Sequence, residues 1–361
     1  MLGFSKISVQ IKYFYIIFIL LIIILIGGGI LVLINRQDSR QVLSSQTDNA
    51  DNIRPSKNAI AYISDRDGNA EIYLQNADDQ KIQRVTATEV PEFNPTLSLD
   101  GRKLAFFSED DGFYGIWIYS LENYEKNLLA ITKAVPNRLL FSPDGLLLAY
   151  LERDNSQNHL YIINTVNGHK ERVTSSAYDF SWSDDSSSIV YTENSSSGIA
   201  KTEIIIRTIA EDGKLEDPNT MFVGGVGPVF VSGSERLYFI DASGEYISLA
   251  SISLRGEGYS EEFQIKIQPK DGMLYRLVKS PVGNELLLSI FSEEKLAGTL
   301  FISLDDKVAL PVNYKVSAIT WDNNGKIMFV EKDDNEENQV WLKNDYDAQS
   351  VKLTSKHNNW F

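Results

Sequence analysis

Residues 139–174 read LLFSPDGLLLAYLERDNSQNHLYIINTVNGHKERVT. The order is an apolar strand, a Ser-Pro-Asp-Gly turn, a second apolar strand, an acidic loop, an aromatic-rich third strand, a Gly turn, and a short strand ending in Thr. This order recurs along the chain at a spacing of about 45 residues, the period of a repeat built from one small sheet. A single four-stranded unit cannot bury both faces of its sheet, so each copy must pack on its neighbours. The repeat therefore constrains the fold more than any local propensity does.

The second strand is the most regular part of the unit. It appears seven times, at 59–63, 104–107, 147–150, 189–191, 237–240, 286–288 and 327–330. Consecutive apolar residues, rather than alternating ones, mean that both faces of that strand are covered, as in a sheet held between two others. The preceding turn recurs at 98–101, 142–145, 183–186, 280–283 and 322–325, built from Ser, Pro, Asp, Asn and Gly. Pro presets φ, Asp or Asn bonds nearby backbone and Gly accepts positive φ, so the aspartates of these turns read as turn formers, not catalysts.

The pattern SPDG-x-x-x-AY at 142–150 and the run SDRDGNAEIY at 64–73 resemble the WD-like (PD40-type) repeat of TolB-like β-propellers. The resemblance covers about 300 residues in phase. It implies an all-β fold, a seven-bladed β-propeller of four-stranded antiparallel blades, and a place in the bacterial envelope. The chain departs from the TolB pattern in three ways. It keeps an N-terminal apolar segment, carries only a polar stretch where that pattern has an α/β domain, and repeats seven times instead of six.

The first unit begins at its second strand, with no apolar inner strand before Ala59. Elsewhere the segment after the closing Thr is the inner strand of the next unit, and the chain ends in Leu353, Thr354 and then Trp360 and Phe361. Trp360 and Phe361 are therefore expected to supply the missing inner strand, closing the ring and removing its open edges.

Ahead of the repeats, residues 13–34 form an uncharged apolar run of about 22 residues, which as a helix reaches about 33 Å and matches a bilayer core. The expected organisation is a short cytoplasmic tail (1–12), one transmembrane helix (13–34), a polar flexible linker (35–58) and the propeller (59–361). Lys6 and Lys12 before the span and Arg36 and Arg40 after it make a cytoplasmic N-terminus the favoured orientation, so the propeller is expected to be extracytoplasmic. The chain is then a single-pass protein of the cell membrane, attached through residues 13–34.

Charge bounds the partners. Residues 1–40 hold Lys6, Lys12, Arg36 and Arg40 against Asp38, a sum of +3, so a chain of net charge −15 carries −18 in the remainder. A body this acidic does not fit a nucleic-acid backbone. The chain has no Cys, which excludes thiol chemistry, disulfides and Cys-based metal sites. No G-x-S-x-G nucleophile elbow is present, and the three histidines are not spaced to bind zinc.

The acidic loops between second and third strands carry Asp65, Asp67, Glu109, Asp110, Asp111, Glu152, Asp154, Glu293, Glu294, Asp333 and Asp334. In a propeller these loops project from one face, where they would form an acidic partner-binding surface. The same residues are equally explained as soluble hairpin turns, in which Asp is favoured. Asp65-x-Asp67-Gly68 opens like a calcium loop but lacks the later Glu, so no cofactor is expected. The function expected is an interaction platform or sensor in an envelope assembly, with another envelope protein as partner. The alternative is a propeller enzyme or binding protein acting on a carbohydrate or peptide at the central channel.

Overall fold

The computed structural model describes residues 56–360, apart from 77–80, 156, 196–201, 211–212, 271, 293–294, 313–315, 333–337, 344–345, 347–348 and 354–357. The expected tail, the span at 13–34, most of the linker and Phe361 lie outside the described residues, as do the side chains beyond Leu353. Among the described residues no helix is long and apolar enough to cross a membrane.

Seven four-stranded antiparallel sheets follow one another along the chain. Blade 2 is representative: inner strand Glu92–Leu97, second strand Lys103–Asp110, third Phe113–Ser120 and outer Lys126–Thr132. The inner strands of blades 3 to 7 are Val135–Phe141, Ala177–Trp182, Gly225–Phe230, Met273–Lys279 and Val316–Trp321. Blade 1 is assembled from both ends of the body. Strand Asn358–Trp360 pairs antiparallel with Ala59–Ser64, setting Trp360 opposite Ile63 and Asn358 opposite Ser64.

Second strands are the buried layer. All six residues of Ala59–Ser64 are buried, and Leu104, Ala105, Phe106 and Phe107 are fully so. Each large apolar side chain removed from water in this way contributes about 1.5–3 kcal/mol. The clusters run between blades. Ala105, Phe107 and Ile116 of blade 2 pack on Leu139, Phe141 and Tyr150 of blade 3. Ile60, Tyr62 and Tyr73 of blade 1 pack on Met328, Val330, Val340 and Leu342 of blade 7, so the last blade meets the first.

The recurrent turn is solved the same way in three blades. Ser98, Ser142 and Ser183 each donate through Oγ to the carboxylate of Asp100, Asp144 and Asp185 at 2.6 Å. Each carboxylate accepts a backbone N–H two residues on, at 3.0 Å. The fourth position has positive φ: 70° at Gly101, 69° at Gly145 and 62° at Ser186. The hydrogen bond from the Ser183 hydroxyl, followed by two from Ser187, holds the Asp185 carboxyl below its ordinary range.

The folded body starts slightly before the expected boundary at Ala59. Ser56 accepts the Ala59 N–H at 3.1 Å, and its carbonyl lies where a Cβ on Gly101 would sit, 2.2 Å away.

Candidate site in the central channel

The inner strands of blades 2 to 7 start at one face of the ring and end in a turn at the other. The first face carries the acidic loops, and there the channel opens into a cavity of about 1010 Å³ lined by Arg153, Asn158, Tyr178, Asp179, Asn194 and Arg276 among others. A second cavity of about 460 Å³ continues toward the turns, past Asn94, Asn137, Arg138 and Arg276, to Trp321 and Asp322.

Bulges shape this channel. The register between inner and second strands shifts at Phe93/Thr96 in blade 2, Pro136/Arg138 in blade 3, Ala177/Asp179 in blade 4, Val226/Val229 in blade 5 and Val316/Ala318 in blade 7. A bulge leaves a residue unpaired and re-aims its neighbours. The residues set out of register are Asn94 and Pro95, Asn137, Tyr178, Gly227 and Pro228, and Ser317. Bulges in adjacent blades are tied together: Asn94 Nδ2 donates to the Asn137 carbonyl at 3.0 Å, and Gly227 N–H donates to Thr192 Oγ1 at 3.2 Å. Gly227 has φ 61°, and an added Cβ would lie 2.8 Å from the Tyr275 carbonyl, so blade 6 approaches here too closely for a side chain.

Three charged side chains meet in the wall. Arg138 from blade 3 pairs directly with Asp179 from blade 4. Arg276 from blade 6 reaches across, with Nε 3.6 Å from the same Asp179 oxygen. Arg138 lies over the Phe180 ring at 4.7 Å and Arg276 over Phe291 at 5.1 Å, which fixes both guanidinium groups. Burial, and then the charge of Arg276, push Arg138 well below the ordinary arginine range; burial also lowers Arg276. Near the turn end, Lys279 pairs with Asp184, and burial lowers the Lys279 ammonium to about 8.

The channel lining thus holds Arg138, Arg153 and Arg276 against Asp179 and Asp322. Asp322 Oδ1 accepts from Asn324 N–H at 2.9 Å and Lys326 N–H at 2.7 Å, while its Oδ2 is buried without a hydrogen-bond partner. A basic throat is therefore set in an acidic body.

Seven of the eleven acidic residues expected at the partner face are among the described residues, in differing states. Asp65, Asp67, Glu109, Asp110, Asp111 and Asp154 are exposed at the ends of second strands. Asp67 accepts from the Tyr73 hydroxyl and faces Arg84 Nη1 at 3.5 Å, so it is committed within its blade. Asp111 has φ 48° and Gly112 φ 75°, the two left-handed residues of a tight hairpin. Glu152 is buried, where it accepts from the Tyr150 hydroxyl at 3.2 Å and has Lys170 at 3.8 Å. Glu293, Glu294, Asp333 and Asp334 lie outside the described residues. Among the described residues no three His, Cys, Asp or Glu groups converge as metal ligands.

Sequence reading missed Arg138, Asp179 and Arg276. The signal was present: each interrupts an otherwise apolar inner strand, in VPNRLLF, AYDFSW and MLYRLVK. Such a charge is rarely buried without a partner.

Seven four-stranded blades around a polar channel define a β-propeller. A family model described as "PD40: TolB beta propeller domain" matches residues 30–229, more than half of the chain, and the chain belongs to that family. The Tol-Pal system protein TolB of Alcanivorax borkumensis is 35% identical over 100 residues, covering 26% of this chain and 23% of that protein. The match thus spans under a quarter of that relative. An oligogalacturonate lyase solved in complex with manganese superposes with a TM-score of 0.58 at 12% identity, over 80% of this chain and 86% of that one. The β-propeller domain of the Trilobed protease from Pyrococcus furiosus, described as having an open velcro topology, does so at 0.57 and 17% identity, over 84% and 96%. At these identities the two structures share the fold alone.

Proposed function

We propose that this chain is a membrane-anchored, extracytoplasmic propeller that serves as a protein-interaction platform in an envelope assembly, taking its partner at the wide mouth of the channel. The apolar run at 13–34 is the anchor, with residues 1–12 cytoplasmic and the following polar stretch as the tether. The partner is another envelope protein, a reading supported by membership of the TolB propeller family and by the local identity to a Tol-Pal system protein.

The observation that carries the binding reading is the state of the channel carboxylates. A glycosidase-like or peptidase-like site needs a carboxyl group free to move a proton or to attack. Among the described residues lining the channel, Asp179 is held by Arg138 and faced by Arg276, and Asp322 is anchored through Oδ1 by two backbone N–H groups of its turn. Paired charges at the base of a large open cavity suit recognition of a ligand, not turnover of one.

The test is crosslinking in intact native cells, followed by affinity purification and mass spectrometry. The expected result is a reproducible envelope protein that is lost when residues 59–361 are deleted and residues 1–58 are kept. Recovery of no protein through the propeller would overturn the platform. Protease added outside spheroplasts should cut the propeller and spare the N-terminus; protection of the propeller would reverse the proposed orientation.

A further inference from the structure

We propose that Arg138 and Arg276 form a receptor for a carboxylate carried by an acidic peptide segment of the partner, inserted through the wide mouth. This rests on the platform reading and names the chemistry of its site.

The charge count is the first ground. Among the described residues two guanidinium groups, one buried and one partly exposed, face one aspartate, so this part of the wall carries a surplus positive charge. Side-chain exposure is 11% for Arg138, 7% for Asp179 and 35% for Arg276, which leaves Arg276 the one turned toward the cavity. Arginine keeps its proton under burial and offers a planar fork matched to a carboxylate. Burial and mutual repulsion penalise the two-cation state, and an entering anion relieves both.

The second ground is two unmet hydrogen-bond groups on residues that line the same cavity, one from blade 6 and one from blade 3. Arg276 Nε is buried and donates to nothing, its 3.6 Å separation from Asp179 being too long for a hydrogen bond. Asn158 Oδ1, also lining the mouth, is buried and accepts nothing. Buried polar groups are nearly always satisfied, so an orphan donor and an orphan acceptor facing one cavity call for a ligand that supplies both. A peptide does: a side-chain carboxylate for Arg276 and a backbone N–H for Asn158. The bulged strands add unpaired backbone groups along its path.

An acidic oligosaccharide is the rival. It would stack on aromatic faces, and two of the rings beside Arg276 are unavailable: Phe291 carries Arg276, and Tyr275 is buried.

The experiment pans the full-length chain in detergent with a displayed library of random dodecapeptides, then measures the enriched peptides by fluorescence anisotropy. Expected are peptides bearing Asp or Glu, whose affinity falls at least tenfold when that residue becomes Asn or Gln, and at least tenfold with Arg276→Gln. Arg276→Lys, which keeps charge and loses the fork, should fall between wild type and Arg276→Gln and guards against misfolding of the Gln variant. Lys170→Gln, outside the channel, should bind like wild type. Neutral enriched peptides, equal binding by Arg276→Gln, or binding of trigalacturonate without peptide enrichment would each overturn the assignment. The two readings fail separately. A crosslinked partner retained by Arg276→Gln in cells removes the carboxylate site and leaves the platform, whereas acidic-peptide binding without any cellular partner does the reverse.

Discussion

The two ends of the channel are made by the same inner strands and solve opposite problems. At the narrow end, turns interlock around the ring. Asp144 N–H donates to Ser186 Oγ at 3.0 Å, Lys103 Nζ to the Gly145 carbonyl at 2.8 Å, and Asn323 Nδ2 to the Ser98 carbonyl at 3.4 Å. These bonds tie polar groups of one turn to another blade, and Asp322 Oδ2 is the acceptor there that stays buried without a partner among the described residues. At the wide end the strands bulge, and charges from three blades share a wall in which some hydrogen-bonding capacity is unused. The narrow end invests its polar groups in closure of the ring, while the mouth withholds them for a ligand.

The largest effect should come from breaking the mouth cluster. Arg138→Ala would leave Asp179 buried beside only the more distant Arg276, and should cost about 3–5 kcal/mol in urea unfolding. Arg138→Met with Asp179→Leu removes both charges and should recover most of that loss. Equal costs for the single and double variants would show that the pair is not the source.

A second test concerns another buried charge group on the mouth side, at the seam of blades 1 and 2. Glu71 and Glu92 are both under 2% exposed and face each other near Thr88 and Lys126. Arg84 Nη2 donates to Glu71 at 3.0 Å, and Thr88 Oγ1 donates to Glu92 at 2.7 Å. Burial first, eased by the Thr88 hydrogen bond and reinforced by the Glu71 charge, pushes the Glu92 carboxyl up to about 7. A carboxyl raised on folding holds its proton more tightly in the native state. Its contribution is fully present below the unfolded value and is lost as pH rises through about 7. The loss should be on the order of 3 kcal/mol between pH 4.5 and 8. Glu92→Gln should flatten that slope in pH-dependent urea melts; an unchanged slope would assign the effect elsewhere.

Smaller effects test the narrow end. Gly101→Ala forces an alanine into φ 70° and against the Ser56 carbonyl, whereas Gly233, at φ 72°, has open space around it. Gly233→Ala should cost about 1–2 kcal/mol from backbone strain alone, and Gly101→Ala more. Similar thermal shifts would mean that Ser56 is not fixed against the turn. The smallest effect is expected at the rim. Asp110→Asn with Asp111→Asn should change stability by less than about 0.5 kcal/mol, because both are exposed and Asn suits the hairpin. A salt-dependent loss of crosslinked partner in that variant would add the rim to the binding surface.

Much of the fold was legible because it repeats. Seven copies of an apolar second strand, five of them preceded by a Ser-Pro-Asp-Gly-type turn, state the blade count, and a missing first strand with an aromatic C-terminal segment states the closure that Asn358–Trp360 completes. The acidic loops were legible as one face, yet their individual fates were not. Glu152 and Asp154 sit two residues apart on the same side of one strand, and only Asp154 stays exposed, because Glu152 lies under Tyr150 and Lys170 while Asp154 is at the hairpin end. The mouth cluster left only a faint trace, three charged residues in apolar strands.

What the sequence determined by itself is what short-range physics can encode: which residues form strands, which turns join them, and how many units must stack to bury their faces. What only the tertiary structure decided is the meeting of Arg138, Asp179 and Arg276 in one wall. They come from blades 3, 4 and 6, so their proximity depends on ring curvature and on where the bulges fall, which no repeat pattern specifies.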